Sequence, residues 1–175
     1  RRQRQMCIRD RINTPAASSI SVAELVFSHL FSCVRSLHIS NREMPLDGDK
    51  DFKKLKKNYS GGSELKGKTL GVVGFGRIGQ EVAKIGLGIG MIIIFYDLHN
   101  KEANIKIDFF DGSSKELVLK SSSFEELLNK SDFISLHVPA QKDYIIGEKE
   151  FSKMKDGSGI ITVSYTHLTL PTRLP

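Results

Sequence analysis

Apolar residues along this chain follow two alternating rhythms. Thr69-Leu70-Gly71-Val72-Val73 is a short apolar run closed by Gly74, which predicts a buried strand. Ile78, Val82 and Ile85 then recur at helical spacing over residues 77–87, and Gly86, Gly88 and Gly90 predict the end of that helix. Met91-Ile92-Ile93-Ile94-Phe95-Tyr96 is unbroken and largely β-branched, as in a strand covered on both faces. Further on, residues 105–110 and 115–119 about Asp111-Gly112 predict a hairpin. Residues 123–130 predict a short helix with Glu125 and Glu126 in its first turn. Asp132-Phe133-Ile134-Ser135-Leu136-His137-Val138-Pro139 predicts another buried strand, residues 147–154 a short helix, and Gly159-Ile160-Ile161-Thr162 the start of one more strand.

The amino-terminal third reads differently. Residues 13–19 suit a turn or extended lead-in, and Ser21-Val22-Ala23-Glu24 has the spacing of a capping box. Val22, Leu25, Val26, His29, Leu30, Cys33, Val34 and Leu37 form one stripe of a helix expected to end near Ser40, with Cys33 in the core. Residues 44–57 are polar and include Pro45 and Gly48, which predicts a surface loop with a short helix. Tyr59-Ser60-Gly61-Gly62-Ser63 reads as a break before the first strand. Strands alternating with helices predict βαβ units, hence an α/β, doubly wound, mainly parallel sheet with helices on both faces.

The 175 residues suit a single domain. No apolar run reaches the ~18 residues of a membrane span, and the basic start leads into no apolar segment of a signal peptide. Two cysteines are too few for a disulfide framework, which predicts a cytoplasmic setting. The net charge of +6 would suit a nucleic-acid partner, but it is concentrated at the ends. Arg1, Arg2, Arg4, Arg9 and Arg11 against Asp10 carry +4, and Arg173 carries +1, which leaves the middle close to neutral. No nucleic-acid or membrane partner is therefore expected. Residues 1–12 and 163–175 follow neither helical nor strand period and resemble translated sequencing adapters. They are expected to be non-native tails around an incomplete domain at residues 13–162, with a sheet truncated on its C-terminal side.

The chemistry lies in Gly74-Phe75-Gly76-Arg77-Ile78-Gly79, between a predicted strand and a predicted helix. In that setting Gly74 permits a tight turn, Gly76 lets the backbone approach a pyrophosphate, and Gly79 lets the helix pack on the sheet. Free amides and the helix dipole then favour the anion. Asp97, eighteen residues beyond Gly79, ends the second strand, where a carboxylate accepts from the adenosine ribose and disfavours a 2′-phosphate. The pattern predicts a Rossmann-type fold with NAD as cofactor. Arg77 can pair with the pyrophosphate or lie solvated on the helix. His137-Val138-Pro139 ends a strand at the sheet's switch point, where it can line the pocket or simply close the strand. His29, His38 and His99 show no metal-ligand spacing, and no metal site is expected.

Together, Gly67-Lys68-Thr69-Leu70-Gly71-Val72-Val73-Gly74-Phe75-Gly76-Arg77-Ile78-Gly79-Gln80, Ser21-Val22-Ala23-Glu24-Leu25, Ser135-Leu136-His137-Val138-Pro139 and Met154-Lys155-Asp156-Gly157 before Ile160-Ile161 resemble the D-isomer-specific 2-hydroxyacid dehydrogenases. Within that family Ser21-Val22-Ala23-Glu24-Leu25 is most similar to the D-3-phosphoglycerate dehydrogenase branch of serine synthesis. The resemblance implies a two-domain homodimeric enzyme that transfers hydride between NAD and C2 of a 2-hydroxy (or 2-oxo) acid. It implies that His137, Val138 and Pro139 line the NAD pocket. It also implies a catalytic arginine in an Asn-x-x-Arg-Gly segment, then an acidic residue and a histidine, and here Ile161-Thr162 runs into Val163-Ser164-Tyr165 instead. No catalytic residue is therefore assigned, and the chain alone is expected to be inactive. The alternative function is a non-catalytic NAD-sensing module of corepressor type.

Overall fold

The computed structural model describes residues 18–139 and 144–163. The lead-in before Ser18 and all but Val163 of the carboxyl-terminal tail lie outside the described residues. Helix α1 (Ser19–Val34) begins two residues before the predicted capping box, with Ser18 at its N-cap. Ser21 instead donates its hydroxyl to the Ser18 carbonyl at 3.0 Å, the local back-bonding open to a serine inside a first turn. The helix stops short of Ser40, because Ser36 turns left-handed at φ 52°. Its core face is Ala23, Val26, Phe27 and Leu30. Leu25 is 47 % exposed, and Cys33 is exposed where a core position was expected. The buried arc is rotated from the predicted stripe because Phe27 packs toward the glycine face of a later helix.

Helix α2 (Leu37–Tyr59) replaces the expected surface loop, carries Pro45 internally and bends at Asp51 (φ −122°, ψ 28°). The Tyr59 hydroxyl donates to the Glu43 carboxylate at 2.6 Å. Sixteen residues of straight helix would separate them by ~24 Å, so α2 doubles back as a V with its apex at Asp51. Of its side chains only Leu55 is buried, which leaves no apolar stripe to predict it from.

The remaining elements follow the predicted alternation. They are β1 (Thr69–Val73), α3 (Arg77–Gly88), β2 (Ile92–Tyr96), β3 (Glu102–Asp108), β4 (Ser114–Lys120), α4 (Phe124–Lys130), β5 (Phe133–Leu136), α5 (Glu148–Phe151) and β6 (Gly159–Thr162). The sheet runs β2-β1-β5-β6 and every pairing is parallel. Leu70 sits between Ile93 and Phe133, and Val73 between Tyr96 and Leu136. One apolar cluster joins α1 and α3 to one face through Val26, Phe27, Leu30, Val82 and Leu70. The other joins α4 to the opposite face through Leu127, Leu128, Ile134 and Leu136. This is the two-sided α/β, Rossmann-type architecture that the alternation predicts.

Helix α3 ends on Gly90 (φ 83°), with Gly90 donating to Leu87 at 3.1 Å and Met91 to Gly86 at 2.9 Å. Gly86 lends only its carbonyl to that terminus; its missing side chain serves the packing. A Cβ there would lie 2.7 Å from Ile93 Cδ1 and 3.5 Å from Phe27 Cζ, so the missing methyl lets α1, α3 and β2 close together. Strands β3 and β4 form an antiparallel hairpin outside the main sheet. Its inner face buries Ile105, and Ser121 just past it bridges to Phe95 of β2.

Candidate functional site

The carboxyl ends of β1, β2 and β5 open on one cleft of about 680 Å³. Val73 ends β1, Gly74 and Gly76 come from the turn after it, Tyr96 to His99 from the end of β2, and His137 to Pro139 from the end of β5. Phe124 at the start of α4 and Ile145 complete the wall. Three segments picked from separate stretches of sequence thus meet at the point where β1 connects to one side of the sheet and β5 lies on the other.

The turn after β1 is shaped by what surrounds it. Gly74 sits at φ 87°, a region that costs a side chain strain, and a Cβ there would lie 2.6 Å from the His137 carbonyl oxygen. At Gly79 a Cβ would strike the Gly74 carbonyl, so α3 reaches the sheet only as glycine. Gly76 differs from both: nothing lies within 4 Å of where its Cβ would be, so the space over the turn is open. The first amides of α3 have no partner within the helix, by helical geometry, and they begin at this opening.

Phe75 and Ile78 are placed differently from their neighbours in the motif. The Phe75 ring is fully buried and stacks on Phe95, with centroids 3.9 Å apart. Only its backbone belongs to the turn. Ile78 is half-buried against the core, and Arg77 is exposed and outside the cleft lining.

Asp97 is tied to the backbone. One carboxylate oxygen accepts the Phe75 N–H at 2.7 Å, and the other accepts the N–H groups of His99 and Asn100 at 2.8 Å each. Burial pushes this carboxyl upward, but the donated N–H groups of Asn100, Phe75 and His99 outweigh it and hold Asp97 below the usual carboxylate range. It is an anion at neutral pH. No sequence reading anticipated its bond to Phe75. The signal was present, since a carboxylate that ends β2 faces the turn that follows the neighbouring β1.

His137 packs its backbone against Gly74, and its Nε2 lies 2.7 Å from the Ser135 hydroxyl. Nδ1 is buried without a hydrogen-bond partner among the described residues. Burial pushes the imidazole down to about 4, so His137 is neutral near pH 7. Among the described residues no group of His, Cys, Asp and Glu could hold a metal ion, and neither arginine nor lysine lines the cleft.

A family model described as "D-isomer specific 2-hydroxyacid dehydrogenase, NAD binding domain" matches residues 27–169. The hydroxypyruvate reductase of Thermotoga maritima is 41% identical over 155 residues, which cover 87% of this chain and 45% of that protein. A putative D-3-phosphoglycerate dehydrogenase of Schizosaccharomyces pombe is 38% identical over 154 residues, covering 87% and 29%. Among solved structures, the NAD-dependent formate dehydrogenase of Staphylococcus aureus in complex with NAD superposes with a TM-score of 0.64 at 28% identity, covering 84% of this chain and 40% of that one. The chain spans less than half the length of these relatives.

Proposed function

This chain belongs to the D-isomer specific 2-hydroxyacid dehydrogenase family and carries its NAD-binding domain, and we propose that it is the cofactor half of an enzyme acting on a short 2-hydroxy or 2-oxo acid. The observation that carries this reading is the convergence of the open Gly76 turn, the anionic Asp97 and the His137–Pro139 wall on one cleft. In the bound state the α3 amides beyond Gly76 hold the pyrophosphate, and Asp97 accepts from the adenosine ribose. Phe75 contributes through its backbone and Ile78 through packing that seats the helix. Arg77 is free to supply charge from outside the cleft. Val138 and Pro139 give the cofactor an apolar wall, and neutral His137 adds no charge beside it. NAD supplies the hydride acceptor and donor for C2 of the substrate.

The relatives' names suggest a substrate of two or three carbons: hydroxypyruvate, glyoxylate or 3-phosphoglycerate. The Ser21–Leu25 segment favours 3-phosphoglycerate, and the 41% match favours hydroxypyruvate. A cleft without a cation among its described lining residues leaves the substrate carboxylate to be held from elsewhere. The chain alone is therefore expected to bind NADH and turn over nothing. Ile20, Leu25 and Phe31 leave apolar surface on α1, which supports a homodimer formed through that helix.

The test is NADH-dependent reduction of glyoxylate, hydroxypyruvate and phosphohydroxypyruvate by the full-length parent protein, beside an NADH fluorescence titration of this chain. Reduction of one substrate with saturable NADH binding by the chain supports the reading. NADH binding without turnover of any of the three by the parent would move it to a nucleotide-sensing module. No NADH binding at all would end it.

A further inference from the structure

We propose that Asp97 has a second role beyond the adenosine ribose: it latches the phosphate-binding turn in its open shape, with Gln80 assisting. The inference rests on the cofactor reading above and adds a function that the sequence motif does not assign to this carboxylate.

The geometry centres on Phe75. Its ring is locked in the core against Phe95. Its N–H is held by Asp97 Oδ2 at 2.7 Å, and its carbonyl accepts from Gln80 Nε2 at 3.2 Å. The peptide groups on both sides of this residue are thereby fixed from outside the turn, one from the end of β2 and one from α3. The next residue is Gly76, over which the space is open. Gly74, before it, lies so near the His137 carbonyl that no side chain fits between them. The turn therefore has a rigid upstream side and an open downstream side, and Asp97 supplies the one charged tether of the rigid side.

A carboxylate has about four lone-pair positions; three are taken by the backbone N–H groups of Phe75, His99 and Asn100, and the Asn100 side chain leans on the same carboxylate. A ribose hydroxyl can take the place of the Asn100 side chain while the backbone latch stays closed. The same side chain would then touch the adenosine end of the cofactor and set the backbone at the phosphate subsite. A residue that only recognised ribose would leave binding of a ligand without adenosine unchanged. A latch would not.

The discriminating ligand is reduced nicotinamide mononucleotide, which keeps one phosphate and the nicotinamide but has no adenosine ribose. NADH and the mononucleotide are titrated into the wild-type chain and into D97A, D97N and Q80A, with circular dichroism as the check on folding. Hydrogen exchange of the Phe75 amide is followed in each. Losing a charge-assisted bond is expected to weaken NADH by roughly tenfold or more in D97A. The mononucleotide should weaken as well, by several-fold, with faster exchange at Phe75. D97N keeps the shape and should fall between, and Q80A should show the smallest change in the same direction. If D97A and D97N lose NADH affinity while the mononucleotide and the Phe75 amide are unmoved, Asp97 serves the ribose alone and the latch is wrong. If the wild type binds neither nucleotide, the cofactor reading itself falls and takes the latch with it.

Discussion

The β1-α3-β2 unit and the V-shaped α2 are adjacent in sequence and opposite in how they are held. In the first, nearly every position is set by something on both sides. Val72, Phe75, Val82 and Phe95 are fully buried, and Gly71, Gly74, Gly79 and Gly86 stand where a methyl would collide with other atoms of the protein. In the second, among the described residues, Leu55 alone is buried, and a Tyr59–Glu43 bond ties the two arms. Tight packing on all sides makes a segment both specific and intolerant. A segment with one buried side chain has only helix propensity and a few polar bonds to define it.

The comparison breaks most readily at Gly74. Valine there would combine a left-handed backbone with a clash on the His137 carbonyl, and we expect a loss of about 4 kcal/mol in urea unfolding, with NADH binding abolished. A loss under about 1 kcal/mol would show that the turn yields where the packing says it cannot.

The next largest effect comes from pH. His137 titrates near 6.5 when unfolded and is held at about 4 when folded, because burial disfavours its charged form. Below the unfolded value the unfolded chain takes up a proton that the native chain refuses. The stabilisation is thus complete above pH 6.5 and is lost as pH falls toward 4. It is worth on the order of 3 kcal/mol. H137Q should flatten the stability–pH curve across that window, and an unchanged slope would remove His137 as its source.

At Gly86 two effects oppose each other. Alanine gains ~1 kcal/mol of helix propensity, but its methyl meets Ile93 and Phe27 in the core. Overpacking of this kind costs about 1–3 kcal/mol, so G86A should lower stability slightly, and a clear gain would show that Ile93 swings aside at no cost. The smallest effect belongs to the arm. Y59F should leave the melting temperature of the whole domain in place while hydrogen exchange speeds up across α2. Burial and the Glu43 bond push the Tyr59 hydroxyl up to about 12. The native chain therefore keeps this proton longer than the unfolded one. The contribution is whole below pH 10 and drains away as pH rises through 12.

The same contrast decides what could be read from sequence. Strand and helix order, the parallel sheet, the glycine turn and Asp97 were all legible, because burial on two faces imposes a period and the turn imposes glycine. The arm was not, since Lys53, Lys54, Lys56 and Lys57 form no stripe and Pro45 argues locally for a loop. The α1 face was misread because Phe27 is chosen by α3, a partner some fifty residues away. Gly86 looked like a terminator for the same reason: its neighbours Ile93 and Phe27 are not local. The bond from Asp97 to Phe75 crosses from one strand end to another, so it is legible only once β1 and β2 are laid side by side.

The sheet order also has a consequence in time. Leu70 pairs with Ile93 on one side and with Phe133 on the other, so a growing chain completes the first seam long before the second. At about 5–20 residues per second of synthesis, β1 waits several seconds with its β5 edge bare. The cofactor cleft straddles that late seam, with Gly74 on the older part and His137 on the newer. The cleft therefore does not exist until the second seam has formed, and a ligand that fills it can stabilise the finished sheet but not the waiting one.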